Sequence, residues 1–301
     1  MTLPNFYLAG SGRCGSTSLD AYLRAHPDIF MSPVKEPNYF SYGYGKVPFA
    51  GPGRQQFYES SVKSLDAYRA LFRGAGRAPA IGEASINYIL HPEACAGIRE
   101  LTPEAKLVFS LRQPVERAWS SFQRSRLHGL EQEEDFSRAW RDDERRRQAG
   151  HWTCIHRYKS LYGQHLRCWF DTFPREQIMV ILFEELRANP VATMQKLYAF
   201  LGVDPAFRPD TSIVHNQTGE IDNPVFRAFW RRSAGLRASL VPFTPTAWRG
   251  RLFRLLARGD RIRKADTPLP GKLKAKFTAE LSDDIAAAES LIGRDLSVWY
   301  T

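Results

Sequence analysis

Residues 5–19 read Asn5-Phe-Tyr-Leu-Ala-Gly-Ser-Gly-Arg-Cys-Gly-Ser-Thr-Ser-Leu19, and this stretch decides the fold. The apolar run up to Ala9 reads as a buried strand, the glycines, serines and arginine after it as a turn, and a helical pattern starts at Leu19. Strand, glycine-rich turn and helix in that order make a phosphate cradle. Glycine lets the backbone approach an anion, the unpaired amides of the new helix point at it, and Arg13, Ser16 and Thr17 add a positive charge and hydroxyl donors. The candidate binding residues are therefore Gly12, Arg13, Cys14, Gly15, Ser16, Thr17 and Ser18. A tight strand-to-helix turn with serine caps is the plainer alternative.

Two familiar phosphate motifs nearly fit. Gly10-x-Gly12-x-x-Gly15 matches the dinucleotide fingerprint, and Glu36 lies about 20 residues further on, where an acidic ribose partner is expected. In that fingerprint the acid ends the second strand, whereas Glu36 follows Ser32-Pro-Val-Lys35, beyond a strand that has already stopped. Gly10 and Gly15 also open like a Walker A loop, but Ser16 stands where that loop needs lysine. The run Lys106 to Leu111 ends on Arg112 rather than on the magnesium-binding aspartate of an ATPase.

Outward from the loop, Phe6 to Ala9, Ile29 to Ser32, Ala80 to Gly82, Lys106 to Leu111 and Gln177 to Phe183 read as short buried strands. Helical spacing marks Thr17 to Ala25, Leu65 to Phe72, Pro92 to Leu101, Val115 to His128, Phe136 to Ala149, Tyr158 to Phe173, Pro190 to Leu201 and a closing helix Leu273 to Leu291. This alternation predicts an α/β fold with a central parallel sheet of about five strands flanked by helices, its ligands at the carboxyl ends of the strands.

Arg112-Gln-Pro-Val-Glu-Arg-Ala-Trp-Ser120 follows the fourth strand and begins a helix, with Pro114 suited to the first turn. Arg112 and Ser120 are placed to share one phosphate, with Arg117 either assisting or acting as a surface salt bridge or helix support. Two anion sites at one sheet edge suit a nucleotide with separated phosphates, such as a bisphosphorylated adenosine.

The composition, 43% hydrophobic and 25% charged over 301 residues, suits one globular domain, 1–301, with a helical, basic segment from about 223 to 301 packed on it. Lys+Arg 42 against Asp+Glu 32 gives a formal net charge of +10, which favours an anionic partner. Cys14, Cys95, Cys154 and Cys168 lack metal-ligand or disulfide spacing. No export signal precedes Asn5 and no run reaches the ~18 apolar residues of a membrane span, so a cytoplasmic chain, soluble or peripheral to a membrane, is expected. Tyr42 to Gln56, rich in glycine and proline, reads as a loop or lid. Asn223 to Lys264, rich in Arg, Trp, Phe and Pro, reads either as short helices with snorkelling arginines or as a basic amphipathic surface for anionic lipid or substrate, centred on Phe226 to Lys264. His26, His91 and His128 read as structural, and His215 lies in a loop within reach of a nucleotide.

Taken together these blocks resemble the PAPS-dependent sulfotransferase family, in its bacterial and carbohydrate-type branches (PAPS, 3′-phosphoadenosine 5′-phosphosulfate). Leu8 to Leu19 resembles the family's 5′-phosphosulfate loop. Arg112 to Ser120 resembles its 3′-phosphate motif, in which the arginine and the serine eight positions later hold the phosphate. His26-Pro-Asp28, Lys35-Glu-Pro-Asn-Tyr-Phe40, Phe173-Pro-Arg-Glu-Gln-Ile178, Phe200-Leu-Gly202 and Gly293-Arg-Asp-Leu-Ser-Val-Trp299 extend the resemblance along the chain. It implies a P-loop-like nucleotide-binding fold, PAPS as donor, 3′-phosphoadenosine 5′-phosphate (PAP) as product, no metal, and Lys35-Glu36 as the acid/base element. Three departures stand out: Arg13 replaces the family's usual lysine, Gln113 its common aspartate, and Ala84 the lysine that carbohydrate enzymes carry after the third strand.

The expected chemistry is in-line sulfuryl transfer. Glu36 takes the proton of an acceptor hydroxyl or amine, while Arg13, Lys35 and the helix N-terminus hold charge on the leaving oxygen. The acceptor, a small molecule, carbohydrate or lipid, is not identified, and nucleic acid is not expected as a partner. The competing readings are a nucleotide-dependent kinase of P-loop type and a basic nucleic-acid- or membrane-binding module.

Overall fold

The apolar run ahead of the glycine loop becomes the middle strand of the sheet. The computed structural model describes residues 2–44, 58–211, 219–221, 262–264 and 268–300. Strands β1 (Phe6–Gly10), β2 (Ile29–Met31), β3 (Ala80–Ala84), β4 (Lys106–Leu111) and β5 (Ile178–Leu182) form a parallel sheet in the order β2-β3-β1-β4-β5. Every residue of β1 is buried. Tyr7 and Ala9 face one hydrophobic core, Phe6 and Leu8 the other, so the strand reads as a continuous apolar run.

The helices are α1 (Ser16–Ala25), α2 (Leu65–Ala70), α3 (Pro92–Leu101), α4 (Pro114–Leu127), α5 (Phe136–Arg141), α6 (Asp143–Gln148), α7 (Tyr162–Thr172), α8 (Phe183–Ala188), α9 (Pro190–Leu201), α10 (Gly271–Glu280) and α11 (Ser282–Ile292). Leu19 and Leu23 of α1 and Met194, Leu197 and Tyr198 of α9 cover one face of the sheet. α3, α4, α7, α10 and α11 cover the other, where Phe109, Trp169, Phe277, Ile285 and Trp299 meet. None of the described helices is long and apolar enough to cross a membrane.

All five expected strands are present, and five expectations need correction. Phe136 to Ala149 is two helices meeting at Asp142, because Asp143 turns inward to accept from the backbone amides of His156, Arg157 and Tyr158. The segment from Tyr158 starts as a 3-10 turn, Tyr158–Ser160, before α7. The closing helix is broken at Leu281 into α10 and α11, and Leu281 buries its side chain at the break. Tyr42 belongs to a π-helical turn, Tyr39–Tyr44, rather than to a loop; 45–57 lie outside the described residues. Of the basic stretch Asn223 to Lys264 only Ile262–Lys264 is described, as a strand β7 antiparallel to β6 (Gly219–Ile221) and not as a helix.

The C-terminal helices are built into the core. Asp284 of α11 caps α7, its carboxylate accepting from Gly163 N at 3.0 Å and Gln164 N at 2.9 Å. The two helices touch at Gly163, where a Cβ would stand 2.5 Å from the Asp284 carbonyl oxygen and 2.8 Å from Ala287 Cβ. Gly163→Ala should therefore destabilise the protein by ~1–3 kcal/mol, an overpacking cost read as a lower denaturation midpoint. A midpoint equal to the parent's would mean that α11 does not pack this closely.

Candidate active site

In the sheet order β1 lies between β3 and β4, so the chain leaves β1 towards one side and returns to pair on the other. That is a topological switch point, where α/β sheets bind ligands. The loops after β1 and β4 consequently start side by side. Ser11 N donates to Ser110 O at 2.6 Å, and Ser110 Oγ donates to Gly10 O at 3.0 Å. Beyond them Arg13 Nε donates to Ser120 Oγ at 3.0 Å, joining the two predicted anion motifs directly.

Within the first loop, Arg13 adopts φ 72, a left-handed backbone uncommon for a residue with a side chain. Gly15, at φ 83, is the N-cap of α1 and supplies no side-chain cap to the first amides of the helix, the end of a helix that attracts anions. Ser16 is buried, Ser18 half-buried, and Thr17 Oγ1 accepts from Lys35 Nζ at 2.9 Å, bringing Lys35 to the loop. Cys14 contributes only backbone. Its side chain is fully buried with Sγ 3.7 Å from Tyr162 OH, and burial pushes the thiol up to about 11.

Arg112 lies over the Phe183 ring at 4.9 Å and pairs with Glu116 at 3.1 Å. Its Nε is buried with no hydrogen-bond partner among the described residues, an open donor that suits a phosphate oxygen. Arg117 is not a surface salt bridge. It is 1% exposed, donates from Nε to Ser160 Oγ at 2.7 Å and from Nη2 to His156 O, and so anchors the segment ahead of α7. The departure at Gln113 also has a structural reason. Its Oε1 accepts from Glu116 N at 2.7 Å as the cap of α4, while Nε2 donates to Thr278 Oγ1 at 2.8 Å and Trp299 O at 3.0 Å. The shorter carboxylate of aspartate has no N–H to make the last two bonds.

Next to these loops opens a cleft of ≈ 180 Å³, partly open to solvent and lined by Gly12, Arg13 and Glu36. Burial raises the Glu36 carboxyl above its ordinary range, against the opposing pull of Lys35, Arg124 and Lys159. Glu36 has φ 55 and its amide donates to Ala84 O at 2.9 Å. The bend is held from behind by Glu83, which accepts from Tyr68 OH at 2.9 Å, Tyr88 OH at 2.7 Å and Ser85 Oγ at 2.6 Å. Ser85 Oγ in turn accepts from the Asn38 amide at 3.1 Å.

Several cleft residues are not singled out by the sequence. Ser121, Arg124 and Ser125 share the cleft with Arg117 on one face of α4, and His128, read as structural, lines it at the end of that helix. Their spacing along a predicted helix was the available signal. Trp152 and Lys159 carried none, because only tertiary folding brings that segment to the cleft. Burial, then Arg117, lowers the Lys159 ammonium to about 8. His26 is structural: buried, with Nε2 3.0 Å from Asp204 O and its ring 4.5 Å from that of Tyr198. His91 is buried and held neutral near 3 mainly by desolvation. His215 lies outside the described residues.

A model of the sulfotransferase family matches residues 53–208, a span that contains the Arg112–Ser120 motif. The crystal structure of a sulfotransferase from Alicyclobacillus acidocaldarius superposes with a TM-score of 0.78 at 30% identity, covering 100% of both chains and thus the first loop as well. The chain belongs to the sulfotransferase family, a class of PAPS-dependent enzymes. Human bifunctional heparan sulfate N-deacetylase/N-sulfotransferase 2 is 26% identical over 67% of this chain and 22% of its own length. Mouse carbohydrate sulfotransferase 15 is 26% identical over 67% of this chain and 44% of its own length. The chain thus spans less than half the length of these relatives.

Glu83 gives the site a pH signature. Burial raises its carboxyl to about 7, so the stability it contributes is complete below the unfolded value of 4.5 and is lost as pH rises through about 7. Glu83→Gln should flatten the fall in denaturation midpoint over that window relative to the parent; parallel pH profiles would remove Glu83 from this role.

Proposed function

We propose that this chain transfers a sulfuryl group from PAPS to a hydroxyl or amine of a small-molecule or carbohydrate acceptor. The observation that carries the reading is the Arg13–Ser120 hydrogen bond, which closes residues 10–18 and 112–120 into one continuous set of anion donors. Bound PAPS supplies an activated sulfuryl group on a phosphate leaving group. Backbone amides of Gly12, Arg13, Cys14 and Gly15, with Ser16, Thr17 and Ser18, hold its 5′ end. Arg112, through its open Nε, and Ser120, through the hydroxyl proton left after it accepts from Arg13, hold the 3′-phosphate. Glu36 takes the acceptor's proton. Arg13, Lys35 and the first amides of α1 hold negative charge at the leaving oxygen without reorganising. Ser16 in place of the Walker lysine stands against a kinase. The names of the heparan sulfate and carbohydrate sulfotransferase relatives support a sugar acceptor over a lipid one.

PAP should raise the melting temperature more than ATP or NAD at equal concentration, since a ligand stabilises the native state in proportion to its saturation. Arg112→Ala should weaken PAP binding by roughly tenfold or more, the scale of a lost charge-assisted hydrogen bond; unaltered binding would strip Arg112 of its assignment. Glu36→Gln should lower turnover by roughly 10²–10⁴ with PAP affinity retained. Because only the ionised carboxylate accepts a proton and burial raises its pKa, kcat/KM of the parent should climb with pH along a limb above the usual carboxylate range. Parent-like turnover in that variant would exclude Glu36 as the base.

A further inference from the structure

The cleft beside the donor loops holds more cationic charge than the donor chemistry uses. Among the described residues its ionisable lining includes Arg13, Arg117, Arg124 and Lys159 against one carboxylate, Glu36. Arg13 is tied to Ser120, and Arg117 to Ser160 and the His156 carbonyl. Arg124 and Lys159 make no side-chain hydrogen bond or ion pair to any described residue, and the one cleft carboxylate that both of them feel is Glu36. Asp143 also attracts Lys159, but its carboxylate already accepts from three backbone amides. Both cations are half-buried, where a charge without a partner is unfavourable. Trp152 and Tyr42 line the same cleft, packed against His91.

We propose that Arg124 and Lys159 form an acceptor-side anion site, so that the accepting hydroxyl or amine stands next to a carboxylate or sulfate ester on the same molecule. The inference rests on the sulfotransferase reading above and narrows its acceptor to an anionic one. Paired with these two cations, the acceptor's anion would fix the acceptor against Glu36 and relieve two unpaired charges at once. The site differs from that of the nucleotide phosphates, which draws on Arg112, Ser120 and the amides of α1.

The test uses the full chain saturated with PAP, so that the donor phosphates already occupy their own donors. Methyl β-glucuronide, methyl β-glucoside 6-sulfate and uncharged methyl β-glucoside are titrated by NMR, which reads millimolar affinities. The expected result is that at least one anionic glycoside binds tenfold or more tightly than the neutral one, the carboxylate and sulfate arms separating the two anion types. Arg124→Gln and Lys159→Met should each remove that preference while PAP affinity stays at the parent value, and Lys159→Arg should restore most of it. Equal binding of all three glycosides, or a preference that survives both substitutions, overturns the proposal. So does a loss confined to PAP binding, which would give the two cations to the donor. A parent protein that does not bind PAP overturns the donor reading itself, and is seen before any glycoside is added.

Discussion

The pairing of β4 directly against β1 is the contact on which the site depends. Arg13 and Ser120 are 107 residues apart, and the hydrogen bond between them is worth only about 1 kcal/mol net. So weak a bond cannot close a loop of that length by itself; the sheet closes it. Burying Tyr7, Leu107 and Phe109 in one core and Phe6, Leu8 and Val108 in the other fixes the two strands side by side. Their carboxyl ends then release two loops from neighbouring positions. Polar geometry at the site is thus a product of apolar register, and a one-residue slip of β4 would point Arg112 and Ser120 elsewhere.

The same logic explains why the C-terminal residues belong to the site although none of them lines the cleft. Gln113 sits between the end of β4 and the first turn of α4, and its amide is bound to Thr278 and to the Trp299 carbonyl. Trp299 is fully buried, and Arg294 reaches the Val180 carbonyl of β5. The orientation of α4, which carries Ser120 and Arg124, is therefore set from both ends of the chain.

Much of this was legible beforehand, and for identifiable reasons. Strands buried on both faces announce themselves as unbroken apolar runs, and all five were found. The glycine loop is readable because a tight strand-to-helix turn with left-handed backbone at Gly15 restricts which residues can stand there. Helix breaks at Asp142 and Leu281 were not readable, since the apolar periodicity continues across both, and the reason for the first is a long-range bond from Asp143 to the amides of 156–158. For Arg117 the local pattern leaves open a phosphate-assisting role or a helix-surface one and does not show its burial, which depends on Ser160 and His156. Lys159 and Trp152 were missed for the same reason. Residues on loops that tertiary packing folds over a site leave no local trace.

The distribution of charge in the cleft follows from which groups are satisfied by the protein itself. Glu83 is fully buried yet accepts three hydroxyl donors, so it serves as a rigid support for the 36–38 bend. Arg117 is equally buried and equally committed, to Ser160 and the His156 carbonyl. Groups of this kind build the site and gain nothing from a ligand. Arg112 Nε, Arg124 and Lys159 differ, because removal from water has been only partly offset by internal partners, and each is strengthened as a binding group by the low local dielectric that makes its solitude unfavourable. Partners left open inside a folded protein are where a ligand can enter, and of these three Arg124 and Lys159 share the cleft with Glu36 while Arg112 lies against Phe183 and Glu116.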